Sequence, residues 1–132
     1  MAITVKASLG TEKYYTEVVA GENTLITDEP VDKGGGNKGF NPFEILATSL
    51  ASCTAATLRM YIDRKEWSVE KINVEVELEN FPLTKRAIFK RDISFEGTNL
   101  DDEQLKRLHA IADACPIHKI LTNDIEILTK FS

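Results

Sequence analysis

The chain holds only two cysteines, Cys53 and Cys115, and each falls on the apolar stripe of an expected helix. A thiol attacks as its thiolate, so the neighbours of each sulfur decide what it can do. Cys53 stands in the middle of a helix-like stretch, Asn41 to Lys65, among Ala and Leu residues. Nothing local lowers its pKa, and burial alone would raise it and leave the thiol inert. Cys115 stands at a helix boundary, in Ala114-Cys115-Pro116-Ile117-His118. Pro116 suits the first position of a short helix, which makes Cys115 its cap, and the free N–H groups there favour a thiolate. His118 comes within reach if that turn is helical. Two thiols that meet near a polar group make a dithiol redox centre. Two that do not meet are small apolar core residues, the ordinary fate of a free cysteine.

Other candidates are weaker. Glu44 stands three residues after Asn41, as the partner in a capping box would. It precedes Cys53 by nine residues and so lies on another face of the helix. In a functional reading its carboxylate would hold a cation or a substrate oxygen near the thiol. Arg91 shares its strand face with Phe89, Ile93 and Phe95. Pointing inward it needs a carboxylate, because an unpaired buried charge is very costly; a bulge that turns it outward is the alternative. Cys115-x-x-His118 is a zinc half-site, but only Cys53 and His109 remain to complete four ligands. The run Gly34-Gly35-Gly36 lacks the Lys-Ser/Thr of a phosphate-binding loop. No Ser-His-Asp set stands at a credible spacing for hydrolysis.

The elements that must position these residues follow from periodicity. Residues 3–9, 13–19 and 22–27 read as strands, the first two separated by Gly10-Thr11-Glu12. Asp28 to Asn41 carries Pro30 and four glycines and reads as a mobile loop, a flap or a lid. Asn41, Pro42 and Glu44 start a helix that is apolar nearly all round, which marks a central, buried one. Ile72, Val74, Val76 and Leu78 alternate with acidic or amide residues in a half-buried strand, and Ala87 to Phe95 makes another. A helix begins near Asp101 with Gln104 as its capping partner, a short one follows Cys115, and Asp124 to Phe131 reads as a last strand. The order is α+β with a largely antiparallel sheet.

A length of 132 residues fits one domain, residues 1–132. The net charge of −5 argues against nucleic acid or an anionic membrane as partner. The longest apolar run, Phe43 to Leu58, is interrupted by Glu44 and five hydroxyl residues and reads as too polar to span a bilayer. No leader pattern is visible at the start, so the expected location is the cytoplasm. In that reducing compartment two cysteines are catalytic, redox-sensing or buried rather than a permanent disulfide.

Several segments together resemble the OsmC/Ohr family of osmotically inducible and organic hydroperoxide resistance proteins. They are Thr27 to Pro30, Gly34 to Gly36, Asn41 to Leu46 and Ala51 to Tyr61, with Leu108 to His118 (LHAIADACPIH) similar to the family's second-cysteine motif. The resemblance covers almost the whole chain, and the continuation Thr54 to Tyr61 is closer to the OsmC-like branch than to the Ohr branch. It implies an intertwined α+β homodimer, with central helices between curved sheets and the sites at the subunit interface. It also implies thiol-dependent reduction of organic hydroperoxides, and more weakly of hydrogen peroxide. Cys53 would attack, Cys115 would resolve, and Glu44 would orient. An external dithiol would restore the pair, without a bound cofactor or metal. One departure stands out. Peroxidases of the family pair an Arg from the N-terminal strands with a Glu on the central helix, and here no Arg precedes Arg59. Glu44 matches the OsmC-like pattern, whereas the Ohr-type Glu would fall at Phe43. The cation is left to Lys6, Lys13, Lys33, Lys38 or Arg91. The alternative function is a non-catalytic or redox-sensing protein that binds a hydrophobic small molecule in the same pocket.

Overall fold

The computed structural model describes residues 2–132. The chain forms two compact units, residues 1–46 and 47–132.

In the first unit, β1 (Lys6–Leu9), β2 (Thr16–Ala20) and β3 (Asn23–Thr27) form an antiparallel sheet in that order. The glycine-rich segment after β3 departs from expectation: it is tied down rather than mobile. Asp28 is buried, and its carboxylate accepts N–H bonds from Tyr14 (3.1 Å), Glu29 (2.8 Å), Gly36 (3.3 Å) and Lys38 (3.1 Å). Those donors span residues 14 to 38, so one side chain folds the whole segment around itself. Glycine is required at position 35, where any Cβ would collide with the Glu29 carbonyl.

The long helix α1 covers Pro42–Arg64, and its start is the expected capping box. Asn41 N–H donates to Glu44 Oε1 (2.9 Å) and Glu44 N–H to Asn41 Oδ1 (2.9 Å). The helix is not buried all round within the chain. Leu50, Thr54, Leu58, Tyr61 and Ile62 form its one buried stripe, while Phe43, Leu46 and Met60 are exposed. Nor is α1 too polar for a bilayer, as its interrupted apolar run suggests. By length and composition alone it could cross one, with a mean hydropathy of 1.2 over its most apolar window. The core helix of a soluble protein passes the same test, and Leu58, Tyr61 and Ile62 of α1 belong to such a core.

That core belongs to the second unit. Leu58, Tyr61, Ile62, Val69, Leu108 and Ala112 are its buried members. The strands β4 (Lys71–Phe81) and β5 (Arg86–Glu96) pair antiparallel in unbroken register from Lys71↔Glu96 to Phe81↔Arg86. Ile72, Val74, Val76 and Leu78 on β4 are half-buried, as are Phe89, Arg91, Ile93 and Phe95 on β5, and the residues at positions 75, 77, 79, 90, 92 and 94 face outward. Helix α2 (Asp102–Asp113) is opened by the Asp101–Gln104 capping box. Cys115 leads directly into α3 (Pro116–Thr122). The expected last strand does not form: residues 124–131 belong to no ladder. A strand needs an edge to pair with, and this segment leaves Ile125, Ile127, Leu128 and Phe131 exposed. The α+β class and the antiparallel sheets stand.

Burial raises the Asp28 pKa, but the four N–H donors outweigh it and hold the carboxylate below its usual 3.8. The sign follows from that depression. The loop's stabilisation is complete above the ordinary carboxylate range and is lost as acid takes the pH down through the lower folded value. Asp28→Asn, which removes the charge and turns one of the two accepting oxygens into an NH2 donor facing N–H donors, is expected to speed amide exchange at Gly36 and Lys38 at neutral pH. Unchanged protection of both amides would show that the loop does not depend on the carboxylate.

Candidate active site

Four elements of the second unit bring the chemistry together. Helix α1 supplies Cys53 and Thr54, β5 supplies Arg91, the last residue of α2 is Asp113, and Cys115 and His118 come with α3. Cys53 lies next to the buried stripe and is half-exposed, whereas Cys115 is fully buried. The two thiols are free and stand close enough for each to shift the other's ionisation. The sequence left open whether they come near each other, and they do.

Their surroundings push them apart. Burial raises the Cys53 pKa, and the shared hydrogen bond with Cys115 raises it further, against smaller help from the Ile117 N–H and the Thr57 hydroxyl, whose oxygen lies 4.0 Å from the sulfur. Burial also acts to raise Cys115. There, however, the Cys53 thiol, the N–H groups of His118 and Ile117 and the Thr54 hydroxyl all favour the thiolate, and the net direction is down. No strict side-chain cap bond closes α3 at Cys115; the N–H groups act by facing the sulfur. The better local physics expected of Cys115 is therefore present, and so is the lack of local activation at Cys53.

Arg91 points inward. Register is unbroken at its pair Val76↔Arg91, so no bulge turns it out, and its side chain is only 13% exposed. The carboxylate it requires is Asp113, at 2.9 Å from Nη2. Nη1 donates to the Thr54 hydroxyl at 3.1 Å, and Nη2 also approaches His118 Nδ1 at 3.4 Å. A guanidinium only donates, so a hydrogen bond in the histidine contact is one that Nδ1 would accept. Thr54 is fully buried, and its hydroxyl donates to the Leu50 carbonyl at 2.7 Å.

Glu44 stands in the capping box at the start of α1, two and a half turns of helix before Cys53. Among the described residues no group of three His, Cys, Asp or Glu side chains could hold a metal ion. Beside the arginine lies a cleft of about 590 Å³, walled by Leu50, Ile88, Phe89, Ile93 and Leu121 and reaching Arg91 and His118.

Thr54 and Asp113 are the participants that pattern reading passed over. Each left a trace. Thr54 sits four residues from Leu50 and from Leu58, a hydroxyl on the stripe that must be buried. Asp113 answers the demand of an inward Arg91, but nothing along the chain picks it from the other acidic residues.

A family model described as OsmC-like protein matches residues 35–130. No curated protein matches the chain. Solved structures resemble it over nearly all of its length. A proposed osmotic stress induced and detoxification response protein of Psychrobacter arcticus is 29% identical, with 91% of this chain and 88% of that one covered and a TM-score of 0.78. The organic hydroperoxide resistance protein OsmC of Legionella pneumophila is 23% identical (92% and 90% covered, TM-score 0.62), and OhrB of Bacillus subtilis is 18% identical (94% and 93%, TM-score 0.63). The last two show a shared fold.

Asp113→Ala should cost more than loss of an exposed ion pair, about 2 kcal/mol, because it strips a mostly buried guanidinium of its counter-charge. Urea unfolding of this variant, of Arg91→Met and of the double variant checks it. The double variant is expected to lose clearly less than the two single losses added together; strict additivity would mean that the pair is not coupled.

Proposed function

Because the chain belongs to the OsmC-like protein family, we propose that it is a thiol peroxidase that reduces organic hydroperoxides with Cys53 and Cys115. One observation carries this reading: the two cysteines, from distant parts of the chain, stand close enough for each to shift the other's ionisation, one half-buried and the other buried. The Cys53 sulfur attacks the distal oxygen of the hydroperoxide, the O–O bond breaks, and an alkoxide leaves and is protonated to the alcohol. Cys53 is left as a sulfenic acid. The Cys115 sulfur then displaces hydroxide from it, which gives a disulfide and water. An external dithiol restores both thiols by exchange.

The names of relatives fit this class of substrate, since two of them are organic hydroperoxide resistance proteins. Glu44 acts as an orienting group at one remove: as the capping residue of α1 it fixes the start of the helix that carries Cys53. A cytoplasmic location would supply the dithiol. Phe43, Leu46 and Met60 on α1, with Ile125, Ile127, Leu128 and Phe131 beyond α3, leave apolar surface that a second copy would cover. We read the working form as a homodimer without cofactor, metal or nucleic acid. A second reading, binding of a hydrophobic small molecule with the cysteines only recording oxidation, draws on the raised pKa of Cys53.

Consumption of cumene hydroperoxide and hydrogen peroxide, side by side with excess dithiol, tests the first reading against the second. Turnover should favour the organic peroxide and vanish in Cys53→Ser. Cys115→Ser should undergo one oxidation and stall. Equal turnover in both variants and the parent, or none in the parent, would overturn the peroxidase.

A further inference from the structure

Four bases gather where α1 ends beside α2: Arg64 and Lys65 at the close of α1, Lys106 and Arg107 on α2. Three of them share Tyr61. Its ring is buried, and Lys65 Nζ, Arg107 Cζ and Arg64 Cζ stand 5.7, 5.8 and 5.9 Å from the ring centre. A ring has two faces and draws a cation to each. A third cation brings like charges together, and they repel. Among the described residues none of the four bases forms an ion pair with a carboxylate. In a chain with a net charge of −5, bases that stand together without an acid partner are a departure. We propose that the cleft between them binds a small molecule that joins phosphate to a flat ring, as a nucleoside phosphate does. The site shares no residue with the thiol centre and does not rest on the peroxidase reading.

The cleft measures about 640 Å³ and is lined by Lys65, Lys106 and Arg107 together with Tyr61, Trp67 and Ala110. That size falls in the range of roughly 300–1,000 Å³ usual for small-molecule sites. Arg107 spends its Nε on the Tyr61 oxygen at 3.0 Å, which fixes the guanidinium plane and leaves both Nη groups for another acceptor. Two ammonium groups line the cleft with that fork. A carboxylate brings one charge and two oxygens. A phosphate brings more of both, and so answers three bases together. The flat ring has its own surface. Trp67 is held against Tyr61, with ring centres 5.6 Å apart, but its indole is only half-buried and stands in the cleft beside the bases. Planar rings stack on such a surface. Two acids also line the cleft. Asp101 is committed to the cap of α2, where its carboxylate accepts the Gln104 N–H at 2.8 Å. Glu103 is exposed, and its charge opposes an anion.

Trp67 is the only tryptophan, so its fluorescence reads the cleft directly. ADP is the probe, with pyrophosphate and adenosine as its two parts. ADP should change the emission saturably, and calorimetry should return the same affinity. Each part alone should bind about tenfold more weakly, or worse. Lys65→Gln and Lys106→Gln should each weaken ADP about fivefold. Glu103→Gln should tighten it, and added salt should weaken it. Arg107→Gln should weaken it as well, but that change also breaks the bond to Tyr61. The two lysines, whose ammonium groups hold no hydrogen bond in the protein, therefore decide the matter, with circular dichroism confirming that each variant is folded. No saturable response to ADP by either measure would overturn the proposal. So would an affinity unmoved in both lysine variants, which would put ADP elsewhere on the chain. Pyrophosphate binding as tightly as ADP would overturn the part given to the ring, and adenosine binding as tightly would overturn the part given to the phosphate. Consumption of cumene hydroperoxide bears on none of these outcomes.

Discussion

A guanidinium that is mostly out of water must find acceptors for its donors, and the second unit is arranged around that demand. Arg91 reaches Thr54 on α1, Asp113 at the end of α2 and His118 on α3 from its own place on β5. Four elements therefore meet at one side chain. Its charge makes the meeting specific, because an apolar residue at position 91 would pack against the same neighbours without dictating where any of them must stand. The thiol pair inherits this precision. Cys53 precedes Thr54 by one residue and Cys115 follows Asp113 by two, so fixing the hydroxyl and the carboxylate also fixes both sulfurs.

The first unit repeats the same physics with the charge reversed. Asp28 is a buried anion, and backbone N–H groups answer it. In each unit the ionic group organises polypeptide that hydrophobic burial alone would leave loose. The difference lies in what is organised: a loop of irregular backbone around Asp28, and side chains from regular elements around Arg91. Asp28 needs no charged partner because its donors are amides, whereas Arg91 carries a counter-ion.

What could be read from the sequence is what depends on near neighbours. The start of α1 was legible because capping joins residues three apart, Asn41 and Glu44. The strands β4 and β5 were legible because each shows its period of two; that period put Arg91 among Phe89, Ile93 and Phe95 but left open an inward side chain or a bulge, and the unbroken register decides for inward. The glycine-rich loop was misread as mobile because its anchor takes donors from Tyr14 through Lys38, a set no local pattern displays. The strand expected after α3 failed for a related reason: Ile125 and Ile127 alternate as a strand should, but alternation says nothing about whether an edge is there to receive it. At the site, the cysteines and the inward arginine were visible by type and parity. The partners that give them meaning, Thr54 and Asp113, are chosen by the fold. The same holds for α1, whose apolar circumference predicts burial but not what does the burying.

The hydroxyl of Thr54 carries a further consequence. Its hydrogen sits on the Leu50 carbonyl one turn back, so that carbonyl serves both the ladder of α1 and the hydroxyl. A hydroxyl that spends its hydrogen on its own helix has only its oxygen left to offer, and the Arg91 guanidinium takes it. Valine, its nearest match in shape, would fill the same space and leave that guanidinium N–H without its acceptor.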